Sequence, residues 1–374
     1  LLKANRKLTL SGVSNETSKA LVTSMLLSFN KQTTLFVTEK TERADTLQHW
    51  LTFFEQEADI LSPIENTDGE VEPEALRKYL QFMSEDTVSV FVATRATWDT
   101  PFPSYAELLE GKMMFKKGEK INFTETIEEL VDRGYSHGDD MYLSPGEYRR
   151  IGDTFDIFPV QALHPYRISF SFEVVDSILS VDAEDLSKTE DAGGELELFP
   201  VTYSNSELLS NQISGHAALI LDDQDDIKIP AGIPTLNYTA FPESQEHHVH
   251  LRYLSVIKFY TLTDFLNDVR DKLQQQWSLV IVTKRMEELQ GIFAEEKIPF
   301  TKEQESRHGA VTLLESHEGG MLPHSIQNPD LQCALLTDRE IFSLKKAGRY
   351  RSVQKLALDF ITSLVAGDYV VHME

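Results

Sequence analysis

The stretch Leu8-Thr-Leu-Ser-Gly-Val-Ser-Asn-Glu-Thr-Ser-Lys19 decides how the sequence begins to fold. Its first five residues predict a short strand that ends in a glycine turn, and a helix is predicted from Ser18 to Phe29. The apolar residues Leu21, Met25 and Leu26 lie at helical spacing on one face. The stretch therefore predicts a strand, a turn and a helix in that order.

Further strands and helices alternate until about residue 110. The candidates are strand 34–38, helix 44–54, helix 74–83 and strand 88–93. The last of these helices has one apolar stripe, formed by Leu76, Tyr79, Leu80 and Met83. Strands that alternate with helices predict a parallel sheet with right-handed crossovers, and hence an α/β domain.

Between about 140 and 185 the periodicity changes to that of antiparallel strands. The segment from Arg167 to Glu173 alternates strictly. Its faces are Ile168, Phe170 and Phe172 on the side predicted to meet a core, and Arg167, Ser169, Ser171 and Glu173 on the other. Strands are also predicted at 154–158 and 174–181. The pattern indicates a small antiparallel β unit inserted into the α/β chain.

The rest of the sequence predicts a linker, a weakly patterned stretch and a second α/β unit. Residues 185–198 carry acids and a Gly-Gly pair, which is typical of a loop or linker. Residues 201–250 show little periodicity beyond a strand candidate at 217–221. The second unit is predicted from helix 264–275, strand 279–283, helix 286–296 and strands 311–314 and 333–337. A basic linker is predicted around 345–354.

Length and charge narrow the class of protein. A chain of 374 residues predicts two or three domains. The net charge of −25 argues against DNA binding by this chain, because a polyanion is bound by clustered Lys and Arg. Acids are expected to be solvated and to favour solubility, notably in the cluster Asp222, Asp223, Asp225 and Asp226.

Other general features indicate the compartment. No apolar run is long enough for a membrane span, and no signal peptide pattern is present. The single Cys333 cannot form an internal disulfide, so we predict a reducing, cytoplasmic compartment. The chain starts without Met and ends in a strand-like run, which we interpret as a fragment cut at both ends.

The strand-turn-helix occupies the place of a phosphate-binding loop but lacks its key residues. In the pattern G-x-x-x-x-G-K-[ST] that starts at Gly12, Thr17 replaces the second glycine, Ser18 the lysine, and Lys19 the hydroxyl residue. The glycine lets backbone amides close around phosphate, and the lysine neutralises its charge. We therefore predict a degenerate P-loop that binds no nucleotide, and we find no catalytic centre elsewhere.

A histidine-rich stretch at 243–250 is a weaker candidate for a metal site. It contains Glu243, Glu246 and three histidines, of which only His248 and His250 share one face of a strand. Nothing in the sequence supplies a third ligand at a fixed spacing. A solvated loop without a metal is therefore expected here.

An ordered set of short motifs resembles the N-terminal region of the transcription-repair coupling factor family (Mfd) and, more distantly, the excision-repair protein UvrB. The motifs are Phe115-Lys-Lys-Gly-Glu-Lys120, Glu128-Glu-Leu-Val-Asp-Arg-Gly-Tyr135, Pro145-Gly-Glu-Tyr148, Gly152, Asp156-Ile-Phe-Pro159, Pro165-Tyr-Arg167 and Asp176-Ser177. Leu335-Leu-Thr-Asp-Arg-Glu-Ile-Phe342 is similar to the end of the family's third domain, and Leu364-Val-Ala-Gly-Asp-Tyr-Val-Val-His372 to the first strand of its RNA polymerase-interacting domain.

The resemblance implies the domain order of that family. It implies a degenerate P-loop-like parallel α/β domain with an inserted small antiparallel domain like domain 2 of UvrB, followed by a second small α/β domain. The expected ranges are 1–112 for the first part of the UvrB-like domain, 113–190 for the UvrA-binding-like insert, 191–250 for the return segment, 251–344 for the small α/β domain, 345–363 for a linker, and 364–374 for the start of the RNA polymerase-interacting domain.

The resemblance also implies a role in transcription-coupled repair. The whole protein would displace stalled RNA polymerase by ATP-driven DNA translocation and recruit UvrA for nucleotide excision repair. ATP, Mg and DNA would be bound by a motor beyond residue 374, so this chain would hold no cofactor, catalyse nothing and serve as a docking part. Two alternatives remain, a UvrB-type helicase subunit and a freestanding RNA polymerase-binding regulator.

The family binds UvrA with two arginines and an aromatic residue on the β domain. Arg167 occupies one arginine position, the other falls at Ile151, and the aromatic position falls at Ser171. Arg149 lies two residues from Ile151 on the same strand face, and Arg150 lies on the opposite face. Exposed arginines are often only solvated, but arginine is also favoured in hot spots. The candidate UvrA contacts are Arg149, Arg150, Arg167 and Ser171.

Overall fold

The computed structural model describes residues 7–29, 32–65, 71–84, 88–140, 142–182, 188–213, 217–224, 226–242, 247–302, 309–316 and 321–342. The predicted linker at 345–363 and the element at 364–374 lie outside these ranges. The chain divides into two compact units, with the boundary between Leu254 and Ser255.

The first unit begins with alternating strands and helices. These are β1 (Lys7–Val13), α1 (Glu16–Phe29), β2 (Thr33–Thr38), α2 (Thr41–Phe53), β3 (Ala58–Leu61), α3 (Pro73–Met83), β4 (Val90–Thr94), α4 (Arg95–Trp98), β5 (Pro101–Pro103) and α5 (Tyr105–Glu110). A strand-rich segment follows, with β6 (Met113–Lys116), α6 (Phe123–Asp132), β7 (Ser136–His137), β8 (Glu147–Ile151), β9 (Thr154–Ile157), β10 (Tyr166–Ser171), β11 (Val174–Val181), β12 (Thr189–Asp191) and β13 (Glu195–Leu198). The unit is completed by β14 (Asn205–Leu208), α7 (Leu209–Gln212), β15 (Ala217–Asp222), β16 (Thr235–Tyr238) and β17 (His248–Ser255).

A parallel sheet organises this unit. Its strand order is β17-β1-β16-β15-β2-β4-β3, and the described pairs run parallel. The predicted apolar stripe of α3 is buried in the core against this sheet, at Leu76, Tyr79, Leu80 and Met83. The mixed α/β class predicted from the alternation is confirmed.

Helix α1 buries a different face from the one that its apolar spacing favours. Thr23 and Ser24 are buried, whereas Met25 is 51% exposed. Buried hydroxyls are tolerated here because each has a partner. Thr23 Oγ1 lies 3.0 Å from Tyr238 OH, and Ser24 Oγ donates to the carbonyl oxygen of Phe54 at 2.9 Å.

The strand-rich segment forms a six-stranded sheet. Its order is β12-β11-β10-β9-β8-β7, antiparallel in the described pairs apart from β7 with β8. The inner face buries Tyr148, Phe155, Ile157, Ile168, Phe170, Val175 and Ile178. The antiparallel unit that the alternation indicated is therefore present.

Phe172 does not lie on the core side of this sheet, contrary to the prediction from strict alternation. Strand β10 ends at Ser171, which pairs with Val174 of β11. Phe172 therefore lies in the turn between the two strands and is 96% exposed. The strand ends two residues earlier than the alternation from Arg167 to Glu173 suggests.

The Gly-Gly stretch predicted as part of a loop or linker contains strands. Gly193 and Gly194 adopt φ angles of +82° and +89° between β12 and β13. Strand β13 pairs antiparallel with β6, and it buries Leu196 and Leu198 while its two acids face outward. The leucines explain the difference, because their alternation with the acids suits a half-buried strand.

The second unit contains α8 (Leu262–Gln274), β18 (Ser278–Thr283), α9 (Met286–Glu295), β19 (Phe300–Thr301), β20 (Val311–Glu315), β21 (Ile326–Asn328), β22 (Cys333–Thr337) and α10 (Asp338–Ile341). Its strand order is β19-β20-β18-β22-β21, with parallel pairs except β21 with β22. Phe265 of α8 and Phe293 of α9 are fully buried in its core. Within the described ranges, no helix has the length and apolar character needed to cross a bilayer.

Candidate functional site

Gly12 of the P-loop-like segment serves packing between strands. Its φ angle is +71°, and a Cβ at this position would lie 2.0 Å from the carbonyl oxygen of Leu251 in β17. Only glycine permits this approach of the two backbones. The conformation therefore has a structural cause that requires no phosphate.

The first turn of α1 is capped by the chain itself. Asn15 Oδ1 accepts a hydrogen bond from the backbone amide of Ser18 at 2.8 Å, and Ser18 Oγ donates to the carbonyl oxygen of Asn15 at 2.8 Å. Thr17, Ser18 and Lys19 are all buried. An amide at a helix N-terminus is a natural anion donor, but this one is already occupied by a side chain.

Lys19 turns its ammonium group toward buried carboxylate. Its Nζ forms an ion pair with Asp222 Oδ1, and the two side chains are 4% and 0% exposed. Asp222 also accepts from Thr38 Oγ1 at 3.1 Å, and Arg43 Nη1 lies 3.4 Å from its Oδ2. Asp223 Oδ2 lies 3.7 Å from the same ammonium. Asp222 is therefore not a solvated acid, contrary to the prediction, because two cations and a hydroxyl compensate its burial.

This cluster lies where the parallel strands end at their carboxyl side, the edge at which α/β sheets bind ligands. Arg43 Nε also lies 3.0 Å from Glu16 Oε1. Burial lowers the pKa of Arg43, but the charges of Asp222 and Glu16 outweigh it, so the net shift is upward. Two cations and three carboxylates thus satisfy one another, and their sum is negative.

The second candidate site is the outer face of the six-stranded sheet. Arg149, Asp156 and Arg167 occupy one cross-strand row on β8, β9 and β10. Arg167 donates from Nε and Nη2 to the two carboxylate oxygens of Asp156 at 2.7 and 3.0 Å, and Arg149 Nη2 donates to Oδ2 at 3.2 Å. The hydrogen bonds to Asp156 raise the pKa of Arg167 above its ordinary value, against the effect of partial burial.

Arg149 and Arg167 border a shallow pocket. Arg149 also donates from Nη1 to the carbonyl oxygen of Asp140 at 2.6 Å, which fixes the guanidinium in two directions. The lining residues are Leu143, Arg149, Asp156, Pro165, Tyr166, Arg167 and Val181. Two arginines held over a pocket wall can recognise carboxylate oxygens on a partner.

The other predicted residues are placed apart from this row. Arg150 lies over the ring of Phe123, with 3.9 Å between its Cζ and the ring centroid, on the face opposite Arg149. Ser171 is exposed at the end of β10, and Ile151 is exposed at the end of β8. The sheet therefore brings Arg149 and Arg167 together but does not bring Arg150 to them.

Sequence reasoning missed the contacts of Asp156 and Asp222 and misplaced Phe172. Asp156 has a signal, since it alternates with the buried Phe155 and Ile157 and must therefore share a face with the arginines. Phe172 and Asp222 carry no such signal. The first lies in a turn without glycine or asparagine, and the partner of the second is 203 residues away.

The histidine pair of the weaker candidate shares a serine. Ser11 Oγ lies 2.8 Å from both His248 Nε2 and His250 Nδ1. Glu243 and Glu246 lie outside the described residues. Among the residues that the structure does describe, no group of three or more His, Cys, Asp or Glu is arranged to hold a metal.

Comparison with known proteins places the second site in a family. Residues 113–203 match the UvrB interaction domain. The chain is also 40% identical over 73 residues to the UvrABC system protein B of Methanococcus maripaludis, a match that covers 20% of this chain and 11% of that protein. The part of the chain from 113 to 203, which carries the Arg149–Asp156–Arg167 row, is therefore a UvrB-like module.

Proposed function

We propose that this chain is the N-terminal docking part of a transcription-repair coupling factor and that its UvrB-like module binds UvrA. The observation that carries the proposal is the pair of exposed-face arginines that Asp156 holds in place within the matched segment. Arginine recognises carboxylates in a planar geometry, and a side chain that is already ordered loses less conformational entropy on binding. The likeness to an archaeal UvrB supports the link to excision repair.

The test is a titration of the chain with UvrA. Arg167→Ala should weaken binding by about 1–3 kcal/mol, or roughly 5- to 150-fold in Kd, because arginines at interface centres are frequent hot spots. The matched control is Arg270→Ala in the second unit, which removes an exposed arginine paired with Glu296 and should leave the affinity unchanged. An Arg167→Ala chain that binds UvrA as tightly as the parent would refute this role.

The same proposal assigns no nucleotide to the carboxyl edge of the parallel sheet. Lys19 is engaged by Asp222, and the helix amide of Ser18 is capped by Asn15. Calorimetry with MgATP should therefore give no binding heat. Stoichiometric uptake of ATP by this chain would contradict the assignment and would favour an enzyme.

The remaining partners follow from the family role. RNA polymerase would be bound by a domain that begins near residue 364, and ATP, Mg and DNA by a motor beyond residue 374. The protein would act in the cytoplasm. A chain extended through that domain should retain RNA polymerase in a pull-down, and a chain that ends at residue 363 should not.

A second candidate is a UvrB-type helicase subunit, which the archaeal UvrB match favours. Such a subunit needs a working P-loop, and Thr17 and Ser18 stand where its glycine and lysine belong. The coding sequence after Glu374 separates the two candidates. An RNA polymerase-interacting domain followed by a helicase motor would favour the coupling factor.

A further inference from the structure

The hairpin between β10 and β11 has an unfavourable turn. Ser171 pairs with Val174, so Phe172 and Glu173 form a two-residue connection. Their φ angles are +51° and +64°. Positive φ at both central positions defines a type I′ turn, which strongly prefers Asn-Gly because side chains with a Cβ crowd the backbone in this region.

The neighbouring hairpin shows the usual solution. Ile151 pairs with Thr154, so Gly152 and Asp153 form the connection between β8 and β9. Gly152 takes the positive φ, +59°, and a Cβ there would meet nothing within 4 Å. In that connection glycine occupies the left-handed position, whereas both left-handed positions at Phe172 and Glu173 hold residues with a Cβ.

Burial within the chain does not compensate for the strain at Phe172. The side chain is 96% exposed, whereas Phe170, two residues earlier, is buried in the core of the module. The residue thus costs backbone strain and also leaves a large apolar surface in water. Strain that persists without internal compensation is a mark of function.

Exposure alone would not single out this residue. Phe29 is also 87% exposed, but it is the last residue of helix α1 and has no left-handed backbone. Scattered exposed apolar residues of that kind are normal on protein surfaces. Phe172 differs because exposure and strain coincide at the tip of a hairpin.

The surroundings of Phe172 suit a protein partner. Arg167 and Ser171 are on the same strand, and Ile151 is exposed next to the adjoining turn. Lys120 lies 3.5 Å from Glu173 and neutralises the turn. A strand that carries Arg167 and ends next to an exposed aromatic ring has the residue types that are enriched in binding hot spots.

We propose that Phe172 is the apolar anchor of the UvrB-like module and that its ring enters an apolar pocket of the partner protein. This inference rests on the proposed function, in which that partner is UvrA. The turn keeps the ring extended before contact, so little conformational freedom is lost on binding. The strained turn lowers the folding stability of the module, and the position in which it holds the ring raises the affinity for UvrA.

The experiment measures UvrA affinity and stability to urea on the same full chains. Phe172→Asn should raise the Kd for UvrA at least tenfold, because the ring is lost. The same variant should raise the folding equilibrium constant about fivefold, since asparagine tolerates positive φ. The proposal therefore predicts that one substitution, Phe172→Asn, weakens UvrA binding and increases the stability of the chain.

Two further variants separate the ring from the turn. Glu173→Gly relaxes the turn but keeps Phe172, so the chain should become more stable while its Kd for UvrA stays within about twofold. Phe172→Tyr keeps an aromatic ring and should hold the affinity within about threefold. These controls also detect a variant that weakens binding only by disturbing the hairpin.

The possible outcomes distinguish the failure of the Phe172 anchor from the failure of UvrA binding by the chain. If Phe172→Asn leaves the affinity unchanged while Arg167→Ala weakens it, the anchor is rejected and UvrA docking stands. If Phe172→Asn lowers stability, the strain argument is wrong. If the parent chain does not bind UvrA at all, both the proposed function and the anchor are overturned.

Discussion

Two carboxylates in the first unit each lie between two cationic side chains, but their surroundings differ. Asp222 contacts Lys19 and Arg43 at the carboxyl edge of the parallel sheet and is 0% exposed. Asp156 contacts Arg149 and Arg167 on the outer face of the small sheet; its own side chain is 10% exposed, and the arginine side chains are 17% and 31% exposed.

The difference in burial decides what each group of charges can do. In the interior, an ion pair has no water to replace a lost partner, so Lys19 and Asp222 depend on each other for stability. On the outer face of the small sheet Asp156 is also buried, but Arg167 is 31% exposed whereas Lys19 is 4% exposed, so water reaches one cation of this group. The same chemistry therefore stabilises one region, and under the proposed function it prepares the other for recognition.

The largest expected effect tests the buried group. Lys19→Met leaves Asp222 buried without its main partner and should lower the free energy of unfolding by about 3–5 kcal/mol, measured by urea denaturation. The double variant Lys19→Met with Asp222→Leu should recover most of this loss, because a buried pair can be replaced by apolar packing. A loss below about 1 kcal/mol in the single variant would remove the distinction between the two regions.

A smaller effect is expected at the exposed group. Asp156→Asn weakens the hydrogen bonds to both arginines and should cost about 1–2 kcal/mol of stability, because the amide keeps only one acceptor oxygen for them. The affinity for UvrA should fall by about 2- to 10-fold, because the arginines must then be ordered on binding. Asp153→Asn, which removes an exposed acid of the same module, is the control. Equal effects in both variants would mean that Asp156 acts only through net charge.

The smallest effect is expected at Gly152, whose positive φ shapes the turn between β8 and β9. Gly152→Ala forces a Cβ onto a residue at φ +59° and should cost about 1 kcal/mol of stability without changing UvrA affinity. Gly291→Ala in helix α9 is the matched control, because its Cβ would also meet nothing within 4 Å, and it should stabilise the chain by about 0.5–1 kcal/mol. The same sign for both substitutions would show that the turn is not the cause.

The sequence predicts most of the elements and few of the contacts. Periodicity is a local property, so it located the stripe of α3 and the alternation of β9 and β10. The pairing of Lys19 with Asp222 joins residues 203 positions apart, and only the fold of the parallel sheet brings helix α1 close to the end of β15. Phe172 was misplaced because the apolar alternation continues through a turn that lacks the usual residues.

The pairing of β6 with β13 bears on how such a protein can be assembled in evolution. Met113 and Leu198 are partners in this antiparallel ladder, so the polypeptide enters and leaves the UvrB-like module along adjacent strands. A whole module can then be gained, exchanged or deleted at one loop of the host, with a short bridge to close the gap. Because its entry and exit strands are adjacent, the module can be inserted or removed while the strands of the parallel sheet stay unchanged.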